Sequence, residues 1–238
     1  MDVYVRDKWH NWTSLYGAMS KMHVDSIIKR FGTKQILTDV FLSCEQGEIV
    51  GLLGRNGSGK STLLQVIFGS LSADTKFVRV GSQKIEGLYD NRNLINYLPQ
   101  DGFLPSHIRV KQAIRLFCDS TNAKLVSKDQ HVQPLLSKKR SQLSGGELRL
   151  LEVLLIIHSK AKYILIDEPF SGVAPLYREK IKKQIRDHSS DKGFIITDHD
   201  YRNILDLSTK TILMYDGGTK TIENKDDLKL WGYIPEIS

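Results

Sequence analysis

The stretch "GLLGRNGSGKST", Gly51 to Thr62, constrains this chain more than any other. Glycines this dense are kept where backbone must turn tightly or approach another group closely. The run follows "EIV", an apolar strand-like segment, and opens into "KSTLLQVIFG", which is helical in pattern and ends at Gly69, a good helix stop. Gly54-Arg55-Asn56-Gly57-Ser58-Gly59-Lys60-Ser61 therefore satisfies the phosphate-loop pattern in its required context, after a strand and opening a helix. Glycines let successive backbone N–H groups turn inward around phosphate oxygens, and the helix N-terminus adds positive dipole. Lys60 is then expected to reach the β- and γ-phosphates, and the Ser61 hydroxyl to serve Mg²⁺. The bare pattern arises by chance in roughly 1% of chains this size; its placement between strand and helix makes nucleotide binding the reading.

The rest of the chain supports an α/β fold. "HVDSIIKRFG" alternates like a strand, and "ILTDVFLSCEQGEIVGLLG" reads as two more broken at Gly47. "KFVRV" and "LINYLP" are short strand candidates. "KYILIDEP", "GFIITDH" and "KTILMY" are apolar runs of the kind buried on both faces of a parallel sheet. Between them lies an amphipathic helix, "LYREKIKKQIRDH". Such alternation predicts a mainly parallel sheet. Phe103 to Gln142 is expected to be mostly helical and polar, interrupted at Pro134, and residues 1–21 show no period and are taken as an extension.

Composition excludes some classes. No run approaches the roughly 18 to 20 apolar residues that cross a bilayer, and "MDVYVRDKWHNW" carries charges where a signal peptide needs apolar residues. A cytosolic chain is the expectation. Cys44 and Cys118 fit no metal spacing and read as buried thiols. The net charge of +7 is compatible with nucleic acid, with an anionic membrane surface, or with a merely solvated basic face.

Asp167 and Glu168 close the strand "YILID", and ligands of open α/β sheets lie at the carboxyl ends of strands. Both acids are expected beside the phosphates, Asp167 holding Mg²⁺ through water and Glu168 polarising the attacking water. Standing alone, "DEP" would read as a capping carboxylate before a turn. Gln100 after "NYLP" and His199 after "GFIITD" would not be singled out by spacing; the first reads as a turn residue, and Thr197 or Asp198 as a cap for the next helix. "LSGGELRLLEV", from Leu143, contains a capping box, Ser144 with Glu147, ahead of an apolar helix. That leaves Gly145 and Gly146 unexplained, since glycine weakens a helix. Bare backbone at a helix N-terminus suits an anion, but without a lysine the phosphate must be delivered by something else.

Gly54–Ser61, Gln100, Leu143–Glu147, Ile164–Glu168 and His199 resemble, in order, the Walker A, Q-loop, signature, Walker B and switch-histidine motifs of ABC-type ATPases. The resemblance covers nearly everything from His23 onward. It implies a P-loop NTPase with a RecA-like core, an antiparallel β subdomain and a short helical subdomain at about 103–160, all within an ATP-binding domain over 22–238. It implies a homodimer, or a heterodimer with a second ABC ATPase subunit, closed head to tail so that Ser144, Gly145 and Gly146 serve the ATP on the other subunit. It further implies ATP and Mg²⁺ as cofactors, a separately encoded transmembrane permease as partner, and a peripheral place on the cytoplasmic face of the cell membrane. No specific nucleic acid is expected.

Residue by residue, Phe31 matches the aromatic that stacks on adenine. Asn56, Gly57, Ser58 and Gly59 match the phosphate cradle, and Thr62 approaches the α-phosphate. Gln100 contacts Mg²⁺ and the attacking water, and His199 the γ-phosphate. "DEPFSGVAP" and "IITDHDYR" are most similar to the lipopolysaccharide-export ATPases and their relatives. Two departures stand out: Ala174 where the family has an aspartate that couples the two sites, and a short segment between Gln100 and Leu143. The rival readings are a soluble ABC ATPase acting on nucleic acid or ribosomes, which generally has a second cassette or a long coiled-coil insertion, and a non-hydrolysing adaptor, against which Glu168 and His199 stand.

Overall fold

A computed structural model describes residues 21–91 and 93–235, so the extension expected over 1–21 lies, Lys21 apart, outside the described residues. Its strands are β1 (Met22–Phe31), β2 (Lys34–Cys44), β3 (Ile49–Leu53), β4 (Thr75–Val80), β5 (Gln83–Lys84), β6 (Ile95–Leu98), β7 (Tyr163–Asp167), β8 (Gly193–Thr197), β9 (Lys210–Tyr215) and β10 (Gly218–Ile222). They form a ten-stranded sheet in the order β5-β4-β1-β2-β10-β9-β3-β8-β7-β6. From β9 to β6 every pairing is parallel, while β1 pairs antiparallel with both β2 and β4. The parallel core and the antiparallel wing meet at one register pair, Gly218 with Asp39. Four hydrogen bonds reinforce it: the Thr38 N–H donates to the Gly217 carbonyl at 2.9 Å and its hydroxyl to the Asp216 carbonyl at 3.4 Å, while the Phe41 N–H donates to Thr219 Oγ1 at 3.1 Å and that hydroxyl donates back to the Phe41 carbonyl at 2.7 Å.

The helices are α1 (Lys60–Phe68), α2 (Val110–Phe117), α3 (Ser120–Lys128), α4 (Gly145–Ile157), α5 (Pro175–His188), α6 (Tyr201–Leu207) and α7 (Lys225–Leu230). Strand periodicity sends alternate residues to opposite faces. Tyr163 and Leu165 of β7 join α1 and the inward residues of the antiparallel wing in one apolar cluster. Ile164 and Ile166 join α2, α4 and α5 in the other. Each fully buried side chain of this kind contributes about 1.5–3 kcal/mol, which is why these strands carry almost no polar residues.

Some expectations are corrected. Phe103–Gln142 is less helical than its composition suggests: α2 and α3 are separate short helices, followed by 3₁₀ turns at Gln133–Leu135 and Arg140–Gln142, with Pro134 inside the first. Neither Thr197 nor Asp198 caps α6; the carboxylate of Asp200 accepts from the Arg202 N–H instead. Sequence pattern does not single out β10 or α7, β10 because "GTKTI" buries only its last residue fully and so shows no apolar alternation. Cys44 and Cys118 are buried thiols as expected, and burial pushes both up, Cys118 to about 11.

Candidate nucleotide site

A cleft of about 710 Å³ opens at the carboxyl ends of the parallel strands, and Asn56 to Thr62 form its floor. Gly59 stands at the N-cap of α1 with φ +96°, a left-handed conformation that L side chains rarely adopt. A Cβ there would also come within 2.9 Å of Ile36 Cγ2, so the residue is glycine for two reasons. Lys60 is buried, and its ammonium donates to the Gly54 carbonyl at 2.7 Å and the Arg55 carbonyl at 3.4 Å. Burial pushes its pKa down, and the carboxylates of Glu168, Asp167 and Asp198 oppose that shift. Ser58 Oγ is buried without a hydrogen-bond partner among the described residues, as suits a hydroxyl kept for a phosphate oxygen.

The second wall comes from β7 and β8. Asp167, 1% exposed, accepts from Thr197 Oγ1 at 2.6 Å and from the Tyr97 hydroxyl at 3.2 Å. Its carboxylate is thus aimed by its neighbours rather than by solvent. Glu168 follows with φ +48°, strained for a residue with a side chain, and its N–H donates to both Oγ1 and the carbonyl of Thr197 at 3.1 Å. Gln100 Nε2 donates to Glu168 Oε2 at 3.1 Å, and His199 Nδ1 lies 3.6 Å from the same oxygen. Behind His199, Asp198 is buried, and desolvation raises its pKa.

The structure therefore brings Phe31, the cradle, Gln100, Glu168 and His199 to one cleft, with Gly54 and Asp167 just beneath its surface. It does not bring Ser144, Gly145 or Gly146 there. Ser144 caps α4 and the two glycines form its first turn, where Ser144 Oγ accepts from the Glu147 N–H at 3.3 Å and Glu147 Oε2 from the Ser144 N–H at 2.7 Å. The resulting hydrogen bonds hold the Glu147 carboxyl below its usual range. One of the two glycines acquires a packing reason: a Cβ at Gly146 would lie 2.6 Å from the Tyr177 ring. Gly145 meets nothing and stays exposed. Lys34 and Ile36 also line the cleft. Sequence does not single them out, because a β-hairpin residue carries no motif; the aromatic at Phe31 is the available signal that this turn overhangs the site.

Oxygen donors dominate: Ser61 Oγ, the buried carboxylate of Asp167 and the amide oxygen of Gln100. That is the donor chemistry of Mg²⁺, which is ordinarily held by few protein groups together with substrate phosphates.

A phosphate loop between a central parallel strand and its helix, faced by a strained glutamate, a glutamine and a histidine, defines a P-loop ATPase cassette. Residues 37–171 match the family described as ABC transporter. The chain is 30% identical over 214 residues to the Escherichia coli K12 lipopolysaccharide export system ATP-binding protein LptB, covering 84% of this chain and 88% of that one. Its Haemophilus influenzae counterpart is 30% identical over 210 residues, 82% of this chain and 87% of the relative. A nucleotide-free ATP-binding cassette from an ABC transporter superposes with a TM-score of 0.74 at 23% identity, covering 91% and 96%. The chain belongs to the ABC transporter family and is one of its ATP-hydrolysing, ATP-binding subunits. No helix among the described residues is long and apolar enough to cross a membrane.

Proposed function

We propose that this chain energises a separately encoded transmembrane permease from the cytoplasmic face of the membrane, as a homodimer or paired with a second ABC ATPase subunit. The observation that carries the catalytic half of this reading is the convergence of Gln100 and His199 on one oxygen of Glu168, at 3.1 and 3.6 Å, beside the phosphate loop. Glu168 accepts a hydrogen bond from water and aligns it on the γ-phosphate. Gln100 and His199 fix that carboxylate and the departing phosphoryl oxygens, and Lys60 and the loop N–H groups neutralise charge as it develops. Ser61, Asp167 and Gln100 would hold Mg²⁺, which supplies charge neutralisation on the phosphates. Phe31 would stack on adenine, and Thr62 lies nearest the α-phosphate.

Two observations support the partner half. Ser144 to Gly146 form the capped start of a helix outside the cleft, as a signature that serves another subunit's ATP must. Beside Gln100, Tyr97 and Pro99 together with Phe103 and Phe117 line an apolar cleft of about 390 Å³, between the end of β6 and the short segment 103–160 that we assign as the helical subdomain. A cytoplasmic segment of a permease seated there would bear directly on the Gln100 loop. Because the relatives named above are lipopolysaccharide-export ATPases, an export permease of that kind is the first partner to test. Capture of the full chain from detergent-solubilised membranes should bring down a polytopic membrane protein that stimulates its ATP hydrolysis; a chain recovered only with ribosomes or nucleic acid would overturn the assignment.

A further inference from the structure

Behind the cleft, α4 buries two opposite charges that touch none of the atoms assigned to ATP. Arg149 and Glu152 have side chains 8% and 1% exposed, with Nη1 3.9 Å from Oε2. Burying such a pair costs desolvation, and well-packed apolar residues would commonly serve stability as well or better. Its contacts indicate another purpose. Arg149 Nη1 donates to the carbonyl of Pro99 at 2.8 Å, immediately before Gln100. Its Nη2 donates to the carbonyl of Asp167, immediately before Glu168. Glu152 Oε1 accepts from the N–H groups of Phe103 at 2.9 Å and Leu104 at 3.2 Å, just after Gly102. The loop Gln100-Asp101-Gly102 is thus held at both ends by one helix.

Gly102 shows how closely the loop is fitted to that helix. Its φ is +77°, and a Cβ would fall 2.5 Å from Glu152 Oε1. Only glycine leaves the carboxylate its place. At the N-terminal end of the same helix stand Ser144 and Gly145, exposed and about 7 Å along the axis from Arg149 at the helical rise per residue. A short α-helix moves as a rod, so displacement of its N-terminus displaces the guanidinium with it.

We infer that Arg149 and Glu152 are positioning residues that tie the signature end of α4 to the placement of Gln100 and Glu168. This rests on the ATPase reading given above. A planar guanidinium fork reaches two carbonyls at fixed separation, which a lysine ammonium does not reproduce. Arg149→Lys therefore keeps the buried charge and loses the double grip.

The test uses the full-length chain, with ATP affinity measured by a fluorescent analogue under non-hydrolysing conditions and turnover measured separately. Arg149→Lys and Gly102→Ala should each lower kcat by about tenfold or more, the scale expected when reacting groups shift by a fraction of an ångström to an ångström. Nucleotide Kd should stay within about twofold of wild type, because the phosphate loop is untouched. In a Gln100→Ala background the Arg149→Lys loss should fall short of the product of the two single losses, since both act through one loop. Unchanged kcat, a parallel loss of affinity, or fully multiplicative losses would each overturn the inference. Should Arg149→Lys not fold, Gly102→Ala decides on the kcat and Kd criteria. Glu168→Gln run alongside separates the two readings: if it hydrolyses ATP like wild type, the catalytic assignment fails and the inference with it; if it is inactive while Arg149→Lys is normal, only the inference fails.

Discussion

Gln100 Nε2 donates to Glu168 Oε2 across 3.1 Å, joining two residues separated by 68 positions in the chain. The glutamate is presented by backbone at φ +48°, held by paired hydrogen bonds to Thr197. Strain of this kind persists where surrounding structure over-determines it. Here it turns the carboxylate toward the loop that carries Lys60.

If that carboxylate aligns the attacking water, Glu168→Gln should lower turnover by roughly 10²-fold or more while keeping ATP affinity. The variant should accumulate as an ATP-bound dimer on gel filtration. Turnover close to wild type would move the role to another residue.

Phe31 stands at the end of β1, 51% exposed, with the Lys29 ammonium 4.9 Å from its ring centroid. Aromatic stacking on a base is worth roughly 1–3 kcal/mol in nucleic-acid sites. Phe31→Ala should weaken ATP binding about tenfold by equilibrium titration, and Phe31→Tyr should leave it almost unchanged. Equal affinities for the alanine variant and wild type would place the adenine elsewhere.

Ala174 is the N-cap of α5, with extended backbone, no capping side chain, no acidic residue in the first turn, and Pro175 following. The aspartate usual at this place would satisfy an N–H of that turn. Ala174→Asp should therefore stabilise the chain by about 0.5–2 kcal/mol, read as a raised midpoint in denaturant unfolding at unchanged m. A lowered midpoint would mean that the carboxylate is repelled before it can cap.

The signature residues are tested by mixing. Lys60→Ala removes the ammonium from the cradle, and Ser144→Arg puts a long cation at the cap of α4; each alone should be inactive. In a mixed dimer built head to tail, one site carries both defects and the other neither. Random mixing should restore roughly a quarter of wild-type ATPase activity if the sites work independently. No rescue in a mixture shown to contain heterodimers would mean that each signature serves its own chain.

What the sequence revealed tracks how local the cause is. The phosphate loop, the buried strands and the Ser144–Glu147 capping box are set by neighbours within a few residues, so pattern exposes them. Thr197 and Tyr97 aim Asp167 from adjacent or flanking strands, at positions fixed by sheet register, which no single segment encodes. Arg149 and Glu152 look in sequence like ordinary charges on an apolar helix; their partners are backbone groups, which carry no residue signature. Gly146 reads as a bare anion site until Tyr177, on the next long helix, is found against it. Lys34 and Ile36 enter the site only because the β1–β2 turn folds over it.

At Gly218 and Asp39 the ladder narrows to one register pair, so two plates of the sheet are joined there by little backbone pairing, with α1 and β7 packed on the wing beneath. The wing contributes Phe31 and the parallel core contributes the phosphate loop, so a nucleotide gripping both is a splint across the joint. Its base and its phosphates then load opposite plates. Amide protons along Thr38–Phe41 and Gly217–Thr219 are the local strain gauge for that splint, and their exchange with solvent should slow when ATP is gripped at both ends but not when triphosphate alone fills the cradle.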